Sequence, residues 1–306
     1  MTINSATPGS AWFLNGVSSL QQELTQTERQ LSSGYQVQDA ADAPAQTSQL
    51  IDLESSLAAT QAYQANLTRV QTEANAADTA LGSAISLLDS ARSLVSQAAN
   101  STVTPAVRQG ILVQIQGIQQ QLVNIANTNV EGRYIFGGDR DQSAAYQYNS
   151  ATGTVTAVTT SAATRLITDT QGQPVFHSLT AQQIFDPQDG TGASTPNSTI
   201  AALASLATAL ANNDQPGIAT AITSLGTASN WLNQQQAYYG ASEQRLTSEQ
   251  NIAANQATAL EAGISGIRDT NIAQAATDLA TETTDQSAAY AAQAAISKKS
   301  LFDYLA

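Results

Sequence analysis

The sequence predicts a mainly α chain with a small β-rich insert, an elongated antiparallel coiled-coil or helical rod bearing one outer domain. Three observations predict it. Apolar residues recur at alternating three- and four-residue steps through the N-terminal half and the last third. The middle, from about Val130 to Ser198, changes to short Thr-, Val- and Tyr-rich runs separated by turn residues. One helical seam is also too long for a compact small domain: a continuous helix from Pro44 to Ala99 would span roughly 80 Å at 1.5 Å per residue.

Taken in order, Val17, Leu20, Leu24 and Leu31, with Thr27 completing the seam, predict a first helix that stops at Ser32-Ser33-Gly34. Asp42 and Pro44 mark the next start, with Asp42 expected as an anionic cap and Pro44 in the first turn. From there Leu67, Val70, Ala74, Ala77, Leu81, Ala84, Leu88, Ala91 and Val95 form an unbroken apolar seam. Leu50, Leu53 and Leu57 lie upstream, in a heptad whose phase slips once between Gln64 and Val70. Thr104-Pro105 opens a third helix with its seam at Ile111, Ile115, Ile118, Leu122 and Ile125. In the last third, Leu225, Ala228, Leu232, Tyr239, Leu246, Ala253, Leu260 and Ile267 share one frame, interrupted by Gln235, Ser242, Glu249, Gln256 and Gly263. Polar seam positions make this the weaker coil, one that depends on packing against other helices. Strands are expected at Tyr146 to Tyr148, Thr154 to Thr159 and Arg165 to Thr168, with Asp186 to Thr199 as an exposed connector.

Composition narrows the function. Of 306 residues, 42% are hydrophobic and only 11% charged, against roughly 25% charged in ordinary soluble chains. A surface so poor in charge suits a subunit whose faces are covered by neighbours. The net charge is −13, and the only lysines are the adjacent Lys298 and Lys299, so no basic stripe is available for nucleic acid. With no cysteine, disulfides and thiolate metal sites are excluded. Met1 to Gly16 has no basic and apolar stretches of a secretory signal, and no apolar run reaches the roughly 20 residues of a membrane span.

Catalytic chemistry finds no constellation. His177 is the single histidine and has no acidic cluster beside it in sequence. Asp186 to Gly190 lacks the alternating acidic ligands of a calcium loop and is expected to be a turn. Gly137-Gly138-Asp139 has no following phosphate cradle and is expected as a hairpin turn. Three Asn-X-Ser/Thr sequons, at Asn66, Asn100 and Asn197, need no explanation beyond the chain's Ser/Thr content. The chain is expected not to be an enzyme and to need no cofactor or metal.

The segment Leu31-Ser-Ser-Gly34-Tyr-Gln-Val-Gln-Asp-Ala-Ala-Asp42-Ala-Pro44 resembles the early motif of bacterial flagellins and their hook-filament junction relatives. Ala43 stands where a second aspartate is usual. Asn129-Val-Glu-Gly132-Arg-Tyr134-Ile-Phe136-Gly-Gly138 and the tail Leu301-Phe302-Asp303-Tyr304-Leu305 resemble the junction branch. Tyr239-Gly240 to Arg245-Leu246 resembles the return helix of the whole group.

The resemblance implies a flagellin-type fold divided into an inner coiled-coil segment at 1–40, a rod at 41–136, a β-rich outer domain with connector at 137–198, a returning rod at 199–267 and a second inner segment at 268–306. It further implies an extracellular structural subunit of the flagellum, exported by the flagellar type III pathway with an export chaperone and without membrane insertion. Its partners would be identical copies in a ring, flagellin distally and a preceding hook-associated protein proximally. Alternatives are the filament subunit itself and a coiled-coil surface adhesin. The expected assembly interface is Leu14, Val17, Leu20, Leu24, Leu31, Ile272, Leu279, Tyr290, Ile296, Leu301, Phe302, Tyr304 and Leu305. In the helices among these the amphipathic seams are short, with Ala276 completing the C-terminal one, and are expected to order when stacked on neighbouring copies.

Overall fold

The computed structural model describes residues 8–39, 41–158, 164–169 and 172–297, with the side chains of 8–11 and 295–297 outside that description. Two compact units are present, one formed by residues up to Gln61 with those from Asn255 on, the other by Ala62–Ala254. Seven helices occur among the described residues: α1 Pro8–Ser33, α2 Pro44–Ala98, α3 Pro105–Ala126, α4 Ala181–Phe185, α5 Thr199–Ala211, α6 Gln215–Arg268 and α7 Ile272–Ser297. Helices α2 and α6 each contribute to both units.

Unit Ala62–Ala254 is organised by the α2 seam. All nine positions from Leu67 to Val95 are buried, each at 3% exposure or less. Alternating leucine with alanine lets an antiparallel partner approach closely, and α6 supplies it, with Gly82 facing Gln236. Leu225, Ala228, Leu232, Tyr239 and Leu246 face the same core. Ile111, Ile115 and Leu122 of α3 join it, as do Leu203, Leu206 and Leu210 of α5. Thr104 caps α3 by accepting from the Val107 N–H, as its sequence predicts.

The frame on α6 changes along its length. Ser242 is buried as a seam residue, but beyond Ala253 the core-facing positions are Ala257 and Ile264, while Gln256 is exposed. A straight helix at 3.6 residues per turn drifts about 20° per heptad. The drift carries Gln256 off the seam and brings Ala257 onto it, whereas Gly263 stays half-buried, its Cα facing Leu53.

Among the described residues the strands form three separate two-stranded antiparallel ribbons: β1 Asn129–Val130 with β2 Arg133–Tyr134, β3 Tyr146–Asn149 with β4 Thr154–Ala157, and β5 Leu166–Thr168 with β6 Pro174–His177. The β1–β2 turn is Glu131-Gly132, both at positive φ (52° and 82°), the type I′ geometry that matches strand twist. The hairpin turn expected at Gly137-Gly138 is thus misplaced by several residues, since Gly138–Arg140 form a 3-10 turn instead. Asn149 to Gly153 turns β3 into β4, as expected, with the Gly153 N–H donating to Asn149 O at 2.8 Å.

The middle region holds one helix that the sequence does not predict, α4, while α5 falls in the helical region expected at 199–267. Helix α4 starts with a full capping box, Thr180 and Gln183 exchanging side-chain to backbone hydrogen bonds. Helix α5 is separated from α6 by Asn212 to Asp214, with Asn213 at φ 51°. Between α4 and α5 the exposed connector closes on itself. Asp189 Oδ1 accepts from Thr191 N (2.8 Å), Thr191 Oγ1 (2.6 Å) and Ala193 N (3.1 Å), and this holds its carboxyl below the usual carboxylate range. This is the expected turn.

Polar contacts fasten the ribbons to the helices. Arg165 reaches Glu73 of α2 at 2.8 Å and Asp141 at 3.7 Å, while Arg133 Nε donates to Asp141 at 2.7 Å. Phe136, Phe185, Phe176 and Tyr239 form an aromatic centre with ring centroids 5.7–6.4 Å apart. Leu179 N donates to the buried Tyr239 hydroxyl at 3.3 Å. His177 is exposed and paired with the Tyr238 hydroxyl at 3.0 Å. Arg108, buried without a carboxylate at its guanidinium, donates to Ala98 O (3.0 Å), Asn100 O (3.3 Å), Asn213 Oδ1 (2.5 Å) and Gln215 Oε1, so that it neutralises the negative end of α2.

Two outcomes follow. A Cβ at Gly137 would lie 2.8 Å from Asp141 Cα and 3.0 Å from the Tyr134 and Arg140 carbonyl oxygens. Because all three are backbone atoms, Gly137→Ala is expected to cost about 1–3 kcal/mol in urea unfolding. At Asp141 burial pushes the carboxyl up, but hydrogen bonds from Arg133 and Gln142 and the charges of Arg133 and Arg165 outweigh it and hold the group below 3.8. A depressed folded value stabilises above the unfolded pKa and is lost as pH falls through the folded one. Wild type should therefore exceed Asp141→Asn in stability at neutral pH, and the gap should close progressively below pH 3.8.

Candidate functional site

The described residues place the candidate site where the burial of apolar surface is incomplete. Large side chains of unit Ala62–Ala254 fill a continuous core, whereas among the described residues of the other unit the buried apolar ones are only Val37, Ala257, Ile264 and Ala275. Helices α1 and α7 pack together there. Thr27 Oγ1 donates to Glu282 Oε1 at 3.0 Å and Gln21 Nε2 to the Tyr290 hydroxyl at 3.0 Å, a pairing that makes the two helices antiparallel.

The helix α1 seam lies as predicted. Val17, Leu20, Leu24 and Leu31 are half-buried against α7, and Thr27 is buried. On α7 the stripe that faces α1 is distinct from the residues expected to meet neighbouring copies. It runs Ala275, Leu279, Glu282, Gln286 and Ala289, with Ala276 exposed. Of the expected interface residues, Leu279 is half-buried, and Leu14 (58%), Ile272 (60%) and Tyr290 (44%) are exposed. Trp12, outside the expected interface, is 82% exposed. The Ile296 side chain and all of Leu301, Phe302, Tyr304 and Leu305 lie outside the described residues. Hydrophobic periodicity directs attention to Ile272 and Tyr290 because the true inner stripe of α7 contains two polar residues. Only the 4-3-4-3 spacing of Ala275, Leu279, Glu282, Gln286 and Ala289 signals it.

A backbone clasp fixes where the two helices emerge. Gly34, at φ 79°, ends α1 and its N–H donates to Gln30 O at 2.9 Å. Its carbonyl accepts from Thr270 N at 2.8 Å, and Arg268 O accepts from Gln36 N at 2.7 Å and Val37 N at 3.3 Å. Gln36 Nε2 donates to Ile267 O at 2.8 Å, so the last carbonyls of α6 are satisfied by the 34–37 loop. The Arg268 guanidinium stacks 4.6 Å from the Tyr35 ring centre. Asp42 serves this loop rather than capping α2 as expected. Its Oδ2 accepts from Gln38 N and Asp39 N, both at 3.0 Å, and those bonds, Asp39 first, lower its pKa. Ala43 occupies the cap position, its carbonyl accepting from Thr47 N at 3.0 Å.

Among the described residues no helix is long and apolar enough to cross a membrane, and no group of three or more His, Asp or Glu stands ready to hold a metal ion. The arrangement offers chemistry of one kind: aliphatic seams and exposed apolar side chains available for burial.

Comparison with known proteins agrees with this geometry. Residues 8–141 match the bacterial flagellin N-terminal helical region and residues 222–305 the bacterial flagellin C-terminal helical region. Flagellar hook-associated protein 3 of Salmonella typhimurium is 28% identical over 184 residues, a match covering 58% of this chain and 57% of that protein. A solved structure from Vibrio parahaemolyticus, provisionally described as a flagellar hook-associated protein, superposes with a TM-score of 0.63 at 20% identity, covering 74% of this chain and all of that one. Flagellar hook-associated protein 3 from Legionella pneumophila superposes at 0.59 with 12% identity, covering 70% of this chain and 98% of that one. These two likenesses establish a shared fold. The two flagellin regions together take in most of the sequence, and the chain belongs to the bacterial flagellin family, whose members are structural subunits rather than enzymes.

Proposed function

We propose that this chain is the subunit joining the flagellar hook to the filament, assembling as a ring of identical copies with flagellin distal and a hook-associated protein proximal. The observation that carries the assembly mechanism is the unequal burial of apolar surface. The α2 seam from Leu67 to Val95 is shut inside its own unit, while Val17, Leu20, Leu24, Leu31 and Leu279 remain half-covered and Trp12, Leu14, Ile272 and Tyr290 uncovered. Completing the burial of each half-exposed aliphatic side chain contributes roughly 1 kcal/mol, before the ordering cost. A pair of 26-residue helices so sparsely covered is marginal alone. Neighbouring copies supply the missing surface, and the tail residues Ile296, Leu301, Phe302, Tyr304 and Leu305 extend the same interface.

Similarity to hook-associated protein 3 supports the junction assignment. In this reading residues 1–40 and 268–306 form the inner layer, 41–136 and 199–267 the rod, and 137–198 an outward domain. Export follows the flagellar type III route. The family regions also fit a filament subunit, and location separates the two.

Immunogold labelling of isolated flagella is expected to mark a narrow band at the hook end. Gold along the whole shaft would assign the chain to the filament instead. Deletion is expected to leave bare hooks with flagellin shed into the medium, and intact filaments in that strain would refute the junction role. In dilute chain, amides of residues 17–31 and 272–290 are expected to exchange at least ~100-fold faster than those of 67–95. Equal protection would remove the assembly mechanism.

A further inference from the structure

Within the otherwise aliphatic α1 seam Thr27 is the one polar residue, and it is more deeply buried than its leucine neighbours. Its hydroxyl donates to Glu282 Oε1 at 3.0 Å, while Glu282 Oε2 is shielded and has no hydrogen-bond partner among the described residues. Such an arrangement is a poor source of stability. A carboxylate holding a single neutral donor has most of its lone pairs unsatisfied, and an apolar side chain of similar size would ordinarily serve the seam as well or better.

What the pair does provide is discrimination between alignments. We infer that the Thr27–Glu282 hydrogen bond is the register pin of the terminal helix pair, selecting one alignment of α1 on α7 from those its repetitive seams permit. The stripe on α7 is Ala275, Leu279, Glu282, Gln286 and Ala289, and that on α1 is Val17, Leu20, Leu24, Thr27 and Leu31. Apart from Glu282 and Gln286 the α7 stripe is small or aliphatic, so apolar packing alone distinguishes poorly between alignments one heptad apart. A slip of seven residues puts Ala275 or Ala289 at Thr27, leaving its hydroxyl without the carboxylate. In one direction the same slip sets Glu282 against Leu20, burying a charge on an aliphatic side chain. A single polar seam residue fixing register is a known device of coiled coils. The inference concerns alignment within one chain and stands whether or not the subunit joins hook to filament.

The full chain contains no cysteine, so spin labels can be placed at Ser19→Cys on α1 and Thr277→Cys on α7, both exposed positions, and their separation measured by pulsed dipolar spectroscopy. Trimethylamine N-oxide can be added to favour the closed pair, because excluded osmolytes strengthen burial. Wild type is expected to give one narrow distance component. Glu282→Leu is expected to retain helix content but to add a component displaced by ~10 Å, the length of one heptad. Glu282→Gln, which keeps an acceptor for Thr27 and drops the charge, is expected to restore the single component, and Thr27→Val to reproduce the slip. A single unshifted component in Glu282→Leu would overturn the assignment. So would a wild-type chain without a narrow component even in the osmolyte.

Discussion

Packing of α2 against α6 along a buried seam of leucine, valine and alanine is the constraint on which the larger unit depends. Leu67, Leu81 and Leu88 are shut from solvent together with Ala74, Ala77, Ala84 and Ala91, and Leu225, Leu232 and Tyr239 of α6 belong to the same core. Every other part of that unit attaches to this pair. Helix α3 lays Ile111, Ile115 and Leu122 on it, α5 adds Leu203 and Leu206, and the ribbons are fixed by Glu73 of α2 through Arg165 and by Tyr239 of α6 through the aromatic centre. A chain with few charges depends on such non-directional packing for stability and reserves its ion pairs for positioning.

The second unit follows a different rule. Its two helices, of 26 residues each, have a similar periodicity, but the leucines of α1 face an α7 stripe of Ala275, Leu279, Glu282, Gln286 and Ala289 rather than a second aliphatic seam. The result is a pair that is specified without being strongly held. Local stability is divided between the units: the larger one is closed by its own core, and the terminal helices rest on sparser packing.

Much of this was legible in the sequence, for identifiable reasons. Long seams such as Leu67 to Val95 repeat often enough to fix both helix type and buried face, and Thr104-Pro105 or Ser33-Gly34 mark boundaries by backbone chemistry. Short elements were missed because their signals are local. The capping box at Thr180 and Gln183 announces a helix of only five residues, and the glycine pair at 137–138 is a more conspicuous turn signal than Glu131-Gly132, where the turn forms. Asp42 was read as a helix cap from type and position, yet its carboxylate turned toward the nearer loop amides of Gln38 and Asp39. On α7 the inner stripe was hidden because the residues facing α1 are less apolar than those facing outward. Periodicity reports where hydrophobic residues are, and a face awaiting a neighbour can be richer in them than the face already paired.

The clasp between the 34–37 loop and the end of α6 has a mechanical consequence. Both terminal helices leave from one knot of peptide hydrogen bonds, Thr270 to Gly34 and Gln36 to Arg268. The end of α1 and the start of α7 are thus moored to the same few peptide groups, so loosening one of these hydrogen bonds uncovers carbonyls belonging to the end of α6 as well.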